Sequence, residues 1–176
     1  MIKNETLETL KTRRSCRAYK PEMITDEELE TVLEAGTWAP TGMGKQSPIL
    51  IAVQNPEDVA ELSRINAEIF GKPGFDPFYG AKTVIVVLAD AERPTHVEDG
   101  SLVLGNMMNA AASIGLGSCW IHRAKETFER EDGKALLKKW GITGNYIGVG
   151  NCILGYAAEP DKSPAPRKDD YITIIK

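Results

Sequence analysis

The chain has 176 residues, of which 42% are hydrophobic and 26% charged, with a formal net charge of -4. That length suits a single domain, residues 1–176, with a sizeable core. The mild negative charge argues against nucleic acid as a partner and leaves any anion site to a local basic cluster.

In chain order, residues 4–12 read as a helix with Leu7 and Leu10 on one face. A basic run follows, Arg13-Arg14-Ser15-Cys16-Arg17, and then an extended segment with Tyr19 and Pro21. Thr25 and Glu28 form a capping box that opens a helix with Leu29, Val32 and Leu33 on its core face, closing near Gly36. Residues 40–48 are rich in Gly and Pro and form a loop. Ile49 to Val53 is a buried strand, and Asn55-Pro56 start a helix that runs to about Phe70. Gly71 to Gly80 is a loop, and Thr83 to Leu88 is the clearest buried strand.

From Gly100 to His122 there is no Asp, Glu, Lys or Arg. Its asparagines and the break at Gly115-Leu116-Gly117 make it a buried helix, from about Val97 to Ile114, and then a strand, Gly117 to Ile121, rather than a membrane span. Lys125 to Trp140 reads as one charged amphipathic helix, and Tyr146 to Tyr156 as a glycine-containing strand. After a polar, proline-rich tail over 158–168, Tyr171 to Ile175 is expected to be a last strand, paired with its own sheet or a partner's. A few central strands between helices predict an α+β or α/β domain.

Several familiar chemistries are excluded. A phosphate loop fails because Ala39 and Gln46 replace the required Gly and Ser/Thr around Gly44-Lys45. Gly115-x-Gly117 and Gly148-x-Gly150 lack the third glycine of a dinucleotide fingerprint. His96 and His122 have no companions at metal spacing, so no metal is expected, and no G-x-S-x-G marks a nucleophile. Cys16, Cys119 and Cys152 form no CxxC pair, and Cys119 reads as an inert buried thiol. Free cysteines and the lack of an apolar leader predict a reducing, cytoplasmic setting. The basic run stands out: three guanidiniums and a hydroxyl within five residues offer forked donors to a phosphate, although a solvated basic turn has the same composition. A second basic pair, Arg167-Lys168, joins it only if the fold brings the chain ends together.

Four blocks in order resemble the FMN-dependent nitroreductase family across nearly the whole chain: Arg13-Arg14-Ser15-x-Arg17; the loop Ala39 to Gln46; Ala111-Ala112 through Gly115-Leu116-Gly117-Ser118-Cys119-Trp120-Ile121; and Leu154-Gly155-Tyr156 with Arg167-Lys168. The resemblance implies a three-layer α/β/α sandwich with a mainly antiparallel sheet, an intertwined homodimer, and FMN at its interface. It places Arg13, Arg14, Ser15, Arg17, Arg167 and Lys168 on the flavin's phosphate, ribityl and pyrimidine groups. Pro40, Thr41, Gly42, Gly44 and Gln46 would come from the other subunit. Trp120, Ile121, His122 and Arg123 would border the ring, with a backbone N–H for flavin N5, and Asn66 would reach its edge. NAD(P)H is the implied reductant and a nitroaromatic, quinone or similar molecule the acceptor, in a ping-pong cycle; the flavin carries the chemistry, so no catalytic side chain is needed.

The sequence departs from the family pattern at Gly44, where Asn is usual, at Ser47, where Pro is usual, and at His122-Arg123, whose charge would favour acidic acceptors or the NADPH phosphate if it faced the pocket. In this short chain residues 71–79 are the expected lid, with Phe75, Phe78 or Tyr79 toward the substrate. The competing readings are a flavin-binding protein for storage or regulation and a specialised reaction such as reductive dehalogenation.

Overall fold

The computed structural model describes residues 2–160 and 163–176. Its elements are α1 (Glu5–Thr12), α2 (Asp26–Thr37), β1 (Pro48–Val53), α3 (Pro56–Ile69), β2 (Thr83–Asp90), α4 (His96–Ser113), β3 (Gly117–Ile121), α5 (Ala124–Glu129), α6 (Glu131–Lys139) and β4 (Tyr146–Gly155). The strands form one sheet in the order β1-β2-β4-β3, every neighbouring pair antiparallel. The predicted capping box is present at Thr25 and Glu28, and Asn55 caps α3 by accepting from the Glu57 and Asp58 amides.

The central strand β2 explains the layering. Ile85, Val87 and Ala89 face one core with Val32 of α2 and Leu104 and Met107 of α4. Val84, Val86 and Leu88 face the other with Leu62 and Ile65 of α3, Phe128 of α5 and Leu136 of α6. A strand buried on both faces must be apolar at every position, which is why TVIVVL does not alternate. The result is a three-layer α/β/α sandwich. Among the described residues no helix is long and apolar enough to cross a membrane, and the charge-free stretch is α4 and β3.

The two partial glycine fingerprints have packing roles. A Cβ at Gly148 would strike the Ala124 carbonyl, and one at Gly117 would meet Cys16 Sγ at 2.8 Å. These glycines let α5 and the N-terminal segment lie against the sheet.

Two expectations are corrected. The helix predicted over Lys125 to Trp140 is two helices, because Arg130 is extended (φ -77°, ψ 153°) between α5 and α6. The break folds Gly133 onto the Thr127 carbonyl, an approach no Cβ permits, and periodicity alone does not reveal such a corner. The last strand does not join its own sheet: 171–176 pairs with no described strand of this chain, and Tyr171, Ile172, Ile174 and Ile175 are exposed. Residues 161 and 162 of the expected tail lie outside the described residues.

Candidate functional site

The two ends of the chain meet at the sheet edge. Cys16 N–H donates to the Ser118 carbonyl at 2.9 Å, and Ser15 forms a parallel bridge with Ser118. Four residues on, Lys20 N–H donates to Tyr156 O and Ala158 N–H donates to Ala18 O, each at 2.9 Å. The N-terminal segment is thus strung between β3 and the end of β4. Arg13, Arg14, Ser15 and Arg17 form one side of a cavity of about 320 Å³, and the 163–167 segment with Arg167 forms the other. Lys168 is exposed and does not line it.

The arginines there have donors to spare. Arg14 Nη1 donates to the Lys11 and Arg13 carbonyls, and Arg167 Nη2 to Ala165 O at 2.7 Å. Arg13 Nη1 and Arg14 Nε are buried with no hydrogen-bond partner among the described residues. A buried unpaired guanidinium N–H is costly unless an acceptor completes it. An anion carrying several acceptor oxygens fits this donor set, and a phosphate ester such as that of FMN is one.

Pro40, Thr41, Gly42, Gly44 and Gln46 do not line that cavity. They form a separate loop whose centre, Gly42–Gly44, is a short 3-10 turn. Met43, Gly44 and Gln46 have left-handed φ of 53°, 65° and 50°. Gln46 N–H donates to Thr41 Oγ1 at 2.9 Å. Gln46 also faces a second cavity, of about 430 Å³, with Lys45, Ser47, Arg93 and Tyr146.

The end of β3 forms a third cluster. Trp120 is half-buried and packs against the α2–α4 core, while Ile121 is buried in the other. His122 is exposed, and Arg123 is half-buried with a left-handed φ of 79°. Asn66 of α3 is 1% exposed, not on a solvated face. Its Nδ2 donates to the His122 carbonyl at 2.8 Å, and its Oδ1 accepts from Arg123 Nε at 2.9 Å. The Arg123 guanidinium lies 4.4 Å from the centre of the Phe70 ring. Arg123 is therefore occupied in fastening the β3–α5 turn to α3, and Asn66 in shaping that turn.

The 71–79 loop closes one side of a third cavity, of about 620 Å³, against α3, with Met23 and Gln54 at its margin. Phe75 is 39% exposed at its rim and stands edge-on to Tyr79, with ring centres 5.7 Å apart. Phe78, expected to face a substrate, lines this cavity but is a core side chain at 1% exposure, in one buried cluster with Leu62 and Ile65. Asp76 fixes the loop by accepting from Ser63 Oγ and from the Phe78 and Gly80 amides.

One residue around these sites gave no sequence signal. Asp99, 3% exposed on α4, accepts from Gly42 N–H, Ser47 Oγ and Thr95 Oγ1. An acid in the first turns of a helix is so ordinary that nothing in the sequence sets it apart.

Residues 10–156 match the sequence profile of the Nitroreductase family. A protein of Archaeoglobus fulgidus, provisionally named an NADH dehydrogenase/NAD(P)H nitroreductase, is 32% identical over 173 residues, 95% of this chain and 90% of that protein. A solved nitroreductase with bound FMN from Bacteroides fragilis superposes with a TM-score of 0.91 at 31% identity, covering 99% of this chain and 100% of that one. A nitroreductase with bound FMN from Desulfitobacterium hafniense gives 0.89 at 27% identity, with 99% and 100% covered. With its antiparallel sheet between two helical layers and its chain ends joined at one edge, the chain belongs to the Nitroreductase family.

Proposed function

We propose that this protein is an FMN-dependent oxidoreductase that takes electrons from NAD(P)H and passes them to a small acceptor such as a nitroaromatic or a quinone. The observation that carries the reading is the pair of buried donors, Arg13 Nη1 and Arg14 Nε, which have no partner among the described residues and belong to side chains lining a cavity shared with Arg167. The FMN in the Bacteroides fragilis and Desulfitobacterium hafniense structures and the NAD(P)H in the name of the Archaeoglobus fulgidus relative support it.

Arg13, Arg14, Ser15, Arg17 and Arg167 would hold the phosphate end, with Lys168 adding positive charge nearby. The turn Trp120-Ile121-His122-Arg123 would border the ring, with Asn66 setting its shape. Pro40, Thr41, Gly42, Gly44 and Gln46 of a second copy would close the other side, because in one copy they lie away from the arginine cavity. The exposed apolar segment from Tyr171 to Ile175 would then be covered in the homodimer. Bound FMN supplies the two-electron chemistry, and the protein's part is to bind, orient and stabilise negative charge. Reductant and acceptor would use the same open face in turn, giving ping-pong kinetics.

The test is purification followed by FMN titration, sedimentation, and steady-state NAD(P)H oxidation with a quinone and a nitroaromatic. A yellow dimer with parallel double-reciprocal plots is expected. A colourless protein that cannot take up FMN overturns the proposal. A flavin-loaded protein without turnover points instead to storage or regulation.

A further inference from the structure

We infer that Asp99 is a positioning residue that holds the Thr41–Ser47 loop in the shape needed at the flavin, an inference that rests on the FMN reading above. Its carboxylate ties both ends of the loop to α4. Oδ1 accepts from Gly42 N–H at 2.8 Å, and Oδ2 accepts from Ser47 Oγ at 3.0 Å and Thr95 Oγ1 at 3.1 Å. Asp99 makes no ion pair among the described residues, so these donors are what compensate its buried charge.

The loop needs such a clamp. Met43 and Gln46 carry side chains yet sit at positive φ, a conformation that persists only where the surroundings impose it. Gly42 packs so closely on Thr95 that a Cβ would overlap its hydroxyl. Thr95 is the N-cap residue of α4 but makes no side-chain cap bond; its hydroxyl serves Asp99 instead. Ser47, where the family pattern has proline, supplies the donor at the far end of the loop. A loop fixed at both ends meets its ligand without first being ordered, which preserves affinity.

The experiment compares wild type with Asp99→Ala, Asp99→Asn and Leu62→Ala, a core change on the opposite face of the sheet. It reads FMN affinity by fluorescence, thermal melting, and hydrogen exchange at the Gly42 amide. Asp99→Ala is expected to speed Gly42 exchange and weaken FMN binding about tenfold or more. Asp99→Asn, whose carbonyl still accepts from Gly42 and whose amide can donate to both hydroxyls, is expected to stay within about threefold of wild type. Leu62→Ala is expected to lower the melting temperature without weakening FMN binding. Asp99→Ala binding FMN like wild type, or Leu62→Ala losing as much affinity, overturns the inference. If Asp99→Ala does not fold, Ser47→Ala takes its place, with about fivefold weaker binding expected, and binding within about threefold of wild type is fatal. Failure of the wild type itself to bind FMN overturns the functional reading, whereas Gly42 exchange still decides whether Asp99 holds the loop.

Discussion

Arg13 and Arg123 are both basic residues of the expected flavin site, but their surroundings give them different work. Arg13 keeps a buried Nη1 without a partner among the described residues, whereas Arg123 has its Nε on Asn66 and its guanidinium on Phe70. Arg13→Ala is expected to weaken FMN binding by about 1.5–3 kcal/mol, the range for a lost charge-assisted hydrogen bond, as read by fluorescence titration. Arg123→Ala is expected to lower the melting temperature, because the β3–α5 turn loses its fastening, and to leave the ratio of NADPH to NADH efficiency unchanged. Steady-state kinetics with both reductants checks this. A shift toward NADH would mean that Arg123 reaches the reductant's phosphate after all.

Joints between elements carry two further expectations. Gln46 holds a φ of 50°, and a proline after it would drive it toward extended conformations. Ser47→Pro, although it restores the family pattern, is therefore expected to destabilise this chain by about 1 kcal/mol or more, measured by urea denaturation. At the other joint, α3 is tied to the end of α6 by buried Asp58, which accepts from Lys139 Nζ at 2.5 Å and Trp140 Nε1 at 2.9 Å. The Lys139 hydrogen bond, with that of Trp140, holds the Asp58 carboxyl below its ordinary pKa. A lowered carboxyl pKa in the fold stabilises above the unfolded value and loses that effect as pH falls through the folded one. Thermal melts should show Asp58→Asn less stable than wild type by a constant margin from about pH 5 to 8, with the margin closing in stronger acid.

For the whole molecule, the two-sided core settles what the cysteines do. Cys16, Cys119 and Cys152 are 7%, 2% and 0% exposed, and burial, with Cys119 alongside, pushes the Cys152 thiol up to about 12. An aromatic disulfide reagent is expected to leave all three thiols unmodified in the native protein and to titrate them on unfolding. Rapid reaction of one thiol without loss of structure would show that a core face opens. The same close packing is why no cysteine competes with a bound cofactor for redox chemistry in this reading.

Local and periodic features were legible in the sequence alone: the capping box at Thr25 and Glu28, the Asn55-Pro56 helix start, β3 at Gly117–Ile121, and a β2 too apolar for anything but a doubly covered strand. They depend on near neighbours, whose identities the sequence states outright. The tertiary structure decided what depends on distant partners: the meeting of Arg13 with Arg167, the burial of Phe78, the use of Asn66 and Arg123 on each other, and the hold of Asp99 on a loop 57 residues earlier in the chain. A corner such as Arg130, and a tail such as 171–175 that finds no strand in its own sheet, follow from where free space and partners lie, which no local periodicity encodes.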